Sequence, residues 1–192
     1  DFALSLNSMI VYSLQQKVPI TQIINRKGSI IHQARCAMIE DAIKSGATHV
    51  LFLDSDHIMP KELLVELLKH DKDIIGCHQV TKRDPVRSNV EDMHCQRLTK
   101  PGTGVKEVTR CGTGIMLIRL LVFQRLKKPY FNFSYNSNFF NKDPGWMGED
   151  FYFCEAVRHK GFQVFVDHNI SNKVYHIGVT MFSTAELTRE NK

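Results

Sequence analysis

The stretch that most constrains the fold is His49 to Asp56, which reads His-Val-Leu-Phe-Leu-Asp-Ser-Asp. Val50 to Leu53 is an unbroken apolar run, the composition of a short strand buried on both faces. Asp54 and Asp56 follow at once, with only Ser55 between them. In extended backbone, side chains two apart point the same way. The pattern therefore sets two carboxylates at the carboxyl end of a buried strand, the edge where ligands bind in open α/β sheets. Carboxylates this close repel each other unless a cation sits between them. Hard oxygen ligands favour Mg2+ or Mn2+, ions commonly shared with phosphate groups. A polar turn leading into the helix that opens near Pro60 accounts for the same residues, and for an isolated D-x-D it is the commoner case.

The flanking segments predict an α/β order. Asp1 to Gln16 carries Phe2, Leu6, Met9, Ile10 and Leu14 at roughly helical spacing, and Pro19 ends it. Residues 20–25 read as a strand, and Ser29 as the N-cap of a helix that stops at Gly46. In that helix Ile31, Ala34, Met38 and Ala42 share one face, and Arg35 lies in the middle of it. A guanidinium there requires a buried carboxylate or an anionic ligand. The carboxylate reading makes it an ion pair with Asp54; the ligand reading makes it part of a binding site.

Further along, Leu63, Leu64, Leu67 and Leu68 form an apolar helical seam, and 73–77 a short strand. Residues 78–105 are polar and without period, a long excursion of the kind that covers a site. Residues 107–118 read as one strand containing Gly112-Thr113-Gly114, glycines that mark a bulge or a closely approaching ligand. Arg119 to Lys127 reads as a short helix, and 130–148 as an aromatic and Asn-rich loop with the only tryptophan, Trp146. Gly148-Glu149-Asp150 opens a helix that closes at Gly161. Acids at a helix amino end are favoured by its dipole whether or not they carry chemistry. Strands follow at 162–166 and 173–177, the second containing His176. His168 is a second candidate histidine, although a lone histidine in an apolar stretch is more often a satisfied core residue. The tail from 179 to 192 reads as peripheral. Alternating strands and helices predict a single α/β domain over 1–192 with a mainly parallel sheet, and an antiparallel strand or two near 107–118.

Composition narrows the function classes. At 192 residues and 43% hydrophobic the chain is long enough for one sizeable core. No apolar run approaches the roughly 18 residues of a membrane span. The net charge of +5 suits an anionic partner, but the basic residues are scattered and no aromatic-interleaved basic stripe marks a nucleic-acid surface. Five widely spaced cysteines without a C-x-x-C pair read as reduced structural thiols of a reducing, cytoplasmic compartment. The chain opens at Asp1 without an initiator Met, as a fragment or processed chain would, which leaves an upstream signal or anchor open.

The order of these motifs over residues 20 to 178 resembles the GT-A nucleotide-sugar glycosyltransferases, most closely the small viral (chlorella-virus) type. The matching features are Gly-Ser before an Arg-bearing helix, an apolar strand into Asp-Ser-Asp, a Gly-x-Gly strand, a Gly-Glu-Asp helix, then His-x-Gly. The resemblance implies a GT-A fold, a single Rossmann-like domain, in the host cytoplasm if the chain is viral. It implies transfer of a sugar from a nucleotide-diphosphate donor, UDP-sugar being the expected one, to a hydroxyl of a glycan or glycoprotein. Asp54, Asp56 and His176 would hold Mn2+ or Mg2+. Arg35, Ser29, Ser55, Gly114 and Trp146, with the two aspartates, would bind the donor. Asp150, with Glu149 beside it, would act on the acceptor hydroxyl. GT-A domains open with a strand whose loop holds part of the nucleotide, and this sequence begins at the helix after it. The alternatives are a haloacid-dehalogenase-like phosphatase with Asp54 as nucleophile, and a non-catalytic module that binds a nucleotide sugar.

Overall fold

The computed structural model describes residues 1–26, 28, 30–83, 85–135, 145–178 and 181–184. Its centre is a five-stranded sheet built from β1 (His49–Leu53), β3 (Ile74–Gly76), β4 (Val105–Val108), β5 (Ile115–Arg119) and β8 (Val164–Asp167), in the order β1-β5-β3-β8-β4. A smaller sheet joins β2 (His57–Ile58), β9 (Tyr175–Ile177) and β10 (Met181–Phe182). A two-stranded ribbon pairs β6 (Ser134–Tyr135) with β7 (Trp146–Met147). The helices are α1 (Phe2–Gln15), α2 (Ile31–Lys44), α3 (Leu63–Lys69), α4 (Leu121–Gln124), α5 (Glu149–Arg158) and α6 (His168–Ser171).

Strand alternation builds two cores from one sheet. Phe52, Ile74, Met116, Ile118, Val164 and Val166 face the layer containing Ile39 of α2, Val122 of α4 and Phe153 and Val157 of α5. Their neighbours Leu53, Ile75, Ile115 and Leu117 face Met9 of α1 and Leu63 and Leu67 of α3. Successive strand residues point to opposite faces, so an apolar run with no polar alternation is what a sheet covered on both sides requires. The result is a mixed α/β fold in which both cores share the sheet. All five cysteines are free, with Cys77, Cys111 and Cys154 buried. Among the described residues no helix is long and apolar enough to cross a membrane.

The sheet corrects the expectation of mainly parallel pairing. β1 with β5, β5 with β3, and β4 with β8 are antiparallel; only β3 with β8 is parallel. The cause is the segment expected to be one strand over 107–118. It is two strands at different places, β4 at the sheet edge and β5 between β1 and β3. Residues 109–114 cross without a helix from β4 to β5. β4 and β5 run the same way, opposite to β1, β3 and β8; β5 starts beside the carboxyl ends of β1 and β3 and runs back against both, so Gly114 lies at the edge that carries Asp54.

Three further expectations change. Residues 20–25 form no strand, and Ile23 is exposed. The helix after Pro60 begins at Leu63, with Leu63 N–H donating to the Pro60 carbonyl in the turn before it. The tail is not wholly peripheral, because β10 adds to β9 with Phe182 opposite His176. Ser29 lies outside the described residues, and the residue before α2, Ile30, offers no side-chain cap.

Candidate metal and acid–base site

The turn after β1 brings together residues that are far apart in the chain. β2 pairs with β9 antiparallel, with His57 directly opposite His176. Their rings stack at 4.3 Å with an interplanar angle of 7°. His57 Nδ1 lies 3.2 Å from Asp56 Oδ1, and His176 Nε2 lies 3.4 Å from Asp56 Oδ2. Asp56, His57 and His176 thus offer three ligand atoms within 4.8 Å of one another. The expected set was Asp54, Asp56 and His176. His57 joins the cluster and Asp54 stands outside it.

The hydrogen-bond chemistry of the cluster suits a cation. His176 Nδ1 donates to the Val80 carbonyl at 2.8 Å, so a neutral ring presents its Nε2 lone pair to the Asp56 carboxylate. Two lone pairs at that distance repel unless His176 carries a second proton or a cation stands in for it. Among the described residues eleven buried side-chain polar atoms have no hydrogen-bond partner. Three of them belong to the cluster: Asp56 Oδ1 and both ring nitrogens of His57, with Asp56 Oδ1 and His57 Nδ1 in ion-pair contact but not in hydrogen-bond geometry. Lys82 Nζ donates to Asp56 Oδ2 at 2.5 Å. The His176 ring, then the His57 ring, with the Lys82 ammonium adding to them, hold the Asp56 carboxyl far below the usual carboxylate range.

Asp54 has a different role. Arg35 is buried, and its Nη2 donates to both oxygens of Asp54 at 3.2 Å each. Its Nη1 donates to Glu149 Oε1 at 2.5 Å, and the guanidinium carbon lies 5.9 Å from the centre of the Phe131 ring. The carboxylate reading of Arg35 is the one observed, with two acids instead of one. Arg35 is engaged inside the protein, and it ties the end of β1 to the start of α5. Removing one partner of a buried ion pair typically costs about 3–5 kcal/mol. Arg35→Leu should therefore lower stability in urea denaturation by about that much, because it leaves Glu149 and Asp54 facing each other.

Asp150, in the first turn of α5, accepts from the Phe151 N–H at 2.8 Å. Burial, with the Glu149 charge adding to it, pushes its carboxyl up to about 6. Between Asp150 and the histidine cluster runs a floor of backbone. A Cβ on Gly112 would lie 2.3 Å from Asn89 Nδ2 and 3.5 Å from Asp150 Oδ2. A Cβ on Gly114 would lie 2.8 Å from His57 Cε1, 2.9 Å from Gln79 Oε1 and 3.1 Å from Asp54 Oδ2. The close approach explains the glycines, which form neither a bulge nor a strand interior. Gly114→Ala should displace His57 and lower stability by about 1–3 kcal/mol. A fall in Mn2+ affinity alongside a lower melting point checks it.

The remaining expected residues take no part in the cluster. Ser55 is exposed in the turn between the two aspartates. Trp146 is 75% exposed and lies beside Tyr135, with ring centres 5.1 Å apart. His168 is buried in a separate group with its ring edge-on to His78 at 5.4 Å, and burial lowers both histidines, His78 to about 3. His57 was legible only as the residue following the D-x-D; its role depends on the β2–β9 pairing. Gln79 and Asn89 lie in the excursion over 78–105, which has no motif to single them out.

No protein-family model matches the chain, and no curated protein matches it in sequence. In fold it is similar to the crystal structure of A197 from STIV, with a TM-score of 0.61 and 15% identity over 89% of this chain and 78% of that one.

Proposed function

We propose that this chain is a metal-dependent glycosyltransferase that moves a sugar from a nucleotide-diphosphate donor, a UDP-sugar in the first instance, to a hydroxyl of a glycan or glycoprotein. The observation that carries this reading is the Asp56–His57–His176 cluster at the carboxyl end of β1, with a separate carboxyl of raised pKa, Asp150, across a glycine floor. Mn2+ or Mg2+ held by Asp56, His57 and His176 would supply Lewis-acid neutralisation of the charge on a departing diphosphate. Two imidazoles beside one carboxylate suit Mn2+ better than Mg2+, which prefers oxygen ligands.

The chain's own residues supply the other parts. Lys82 stands at the cluster as a fixed positive charge for the phosphates. Arg35 holds Glu149 and Asp54 in place and, being engaged by both, is a positioning residue and not a donor ligand. Asp150 accepts the proton of the acceptor hydroxyl as it attacks the anomeric carbon in an inverting displacement. A carboxyl titrating near 6 is ionised at neutral pH, yet basic enough to draw a proton in the transition state. The exposed Tyr135–Trp146 pair, on the β6–β7 ribbon whose second strand leads to Glu149, offers flat apolar faces to the acceptor.

The phosphatase reading needs a free nucleophile at Asp54, whose two oxygens are both engaged by Arg35. Incubation with Mn2+ and a panel of UDP-, GDP- and dTDP-sugars separates the readings. Slow metal-dependent release of free nucleoside diphosphate supports transfer. Hydrolysis of a phosphomonoester that requires Asp54 supports the phosphatase, and tight binding without turnover supports a binding module.

A further inference from the structure

Gln79 and Asn89 form a locked amide pair directly above the glycine floor. Asn89 N–H donates to the Gln79 carbonyl at 3.1 Å, Gln79 N–H donates to Asn89 Oδ1 at 3.0 Å, and Asn89 Nδ2 donates to Gln79 Oε1 at 2.9 Å. This ring of bonds sets the orientation of both amides. It leaves Gln79 Nε2 buried with no hydrogen-bond partner in the fold, and Thr113 Oγ1 is in the same condition. Gln79 is 5% exposed, so its open donors are a built feature and not a surface accident. The pair stands between two acids: Gly112 brings Asn89 beside Asp150, and Gly114 brings Gln79 beside Asp54.

We propose that the Gln79–Asn89 pair reads the hydroxyls of the transferred sugar and sets which sugar the protein accepts. This rests on the glycosyltransferase reading and adds its specificity determinant. A hydroxyl both donates and accepts, so a polyhydroxylated ring matches a surface of amide donors between carboxylate acceptors. Diphosphate would be repelled by the same carboxylates. A nucleobase would want a flat apolar face, which this floor lacks.

The test is calorimetric titration, in Mn2+, of free UDP, GDP and dTDP and of their glucose and galactose conjugates. Gln79→Glu keeps the acceptor oxygen and removes both open donors; Gln79→Met removes them without adding charge. For Gln79→Met, which adds no charge, the free nucleotide should bind within about twofold of the wild type; Gln79→Glu sets a new carboxylate beside Asp54 and should also weaken the free nucleotide. The preference for one sugar epimer should fall about tenfold or more, as expected when a site built to hydrogen-bond a hydroxyl loses its partner. On the wild-type protein, deoxy-sugar nucleotides should show the same loss, which tests the proposal even if a variant fails to fold. Unchanged epimer preference in the variants, or indifference of the wild type to the deoxy sugars, overturns this proposal alone. Absence of any metal-dependent nucleotide or nucleotide-sugar binding overturns the glycosyltransferase reading, and this proposal with it.

Discussion

Asp56→Ala is expected to abolish Mn2+-dependent binding of a nucleotide sugar while leaving the fold intact. Asp56 supplies the only carboxylate of the ligand cluster, and its two oxygens face His57, His176 and Lys82. Without it two imidazoles remain next to an ammonium, an arrangement that repels a divalent ion. Loss of groups that merely orient a metal ligand costs about 10–100-fold in affinity, so loss of the ligand itself should cost at least about 100-fold. The side chain is 41% exposed, so its truncation opens no core cavity, and the metal-free melting temperature should fall only modestly, through loss of the contacts to His57, His176 and Lys82. Asp54→Asn separates the two aspartates. It should weaken the Arg35 network and lower stability while retaining most of the Mn2+ affinity. Titration of Mn2+ into both variants measures the contrast; equal loss in the two would return Asp54 to the metal site.

Asp150→Asn is expected to cut sugar transfer by about 10²–10⁴-fold while donor affinity stays within about twofold. Asparagine keeps the shape and the backbone contact but cannot take a proton. The pH profile carries the same claim. The working form of Asp150 is the carboxylate, and burial pushes its carboxyl up to about 6 from the usual 3.8. Transfer should therefore rise about tenfold per pH unit up to roughly 6 and level off above, and the slope should vanish in the variant. Stability should move the opposite way. A folded-state pKa above the unfolded value means that the native state holds the proton more tightly, so stability from this group is full below about 3.8 and lost as pH rises through about 6. At neutral pH the difference is on the order of 2–3 kcal/mol. Asp150→Asn should accordingly be more stable than the wild type at pH 7 and gain little at pH 4, measured by urea denaturation at both pH values. Such a trade of stability for function is the mark of a group retained for chemistry.

The sequence disclosed the parts of the fold that depend on local pattern. The apolar run of β1, the leucine seam of α3 and the helices at Phe2–Gln15, Ile31–Lys44 and Glu149–Arg158 are written in period and caps, and all formed where expected. The misplaced charge of Arg35 was visible as well, since a guanidinium on an apolar helical face must find an acid. One partner, Asp54, was foreseeable; Glu149, 114 residues away, was not. Neighbour order was illegible for the same reason, whereas the antiparallel run expected near 107–118 did form, as β4 and β5. Nothing local distinguishes a single bulged strand over 107–118 from two strands separated in the sheet by β8 and β3. That division places Gly114 against His57 and so shapes the site. His57 itself was hidden by the apparent completeness of Asp-Ser-Asp. Its role is created by cross-strand register with His176, a pairing across more than a hundred residues that no local spacing encodes.

The central claim is that Asp56, His57 and His176 hold a divalent cation on which a sugar nucleotide's diphosphate rests. Its most direct test is anomalous diffraction from crystals soaked in Mn2+ and a UDP-sugar. The account predicts a manganese peak bonded to the Asp56 carboxylate and both imidazoles, with diphosphate oxygens on it and Lys82 moved from Asp56 to the phosphates. A map with no peak there, Lys82 still on Asp56 and the sugar nucleotide elsewhere or absent would contradict it.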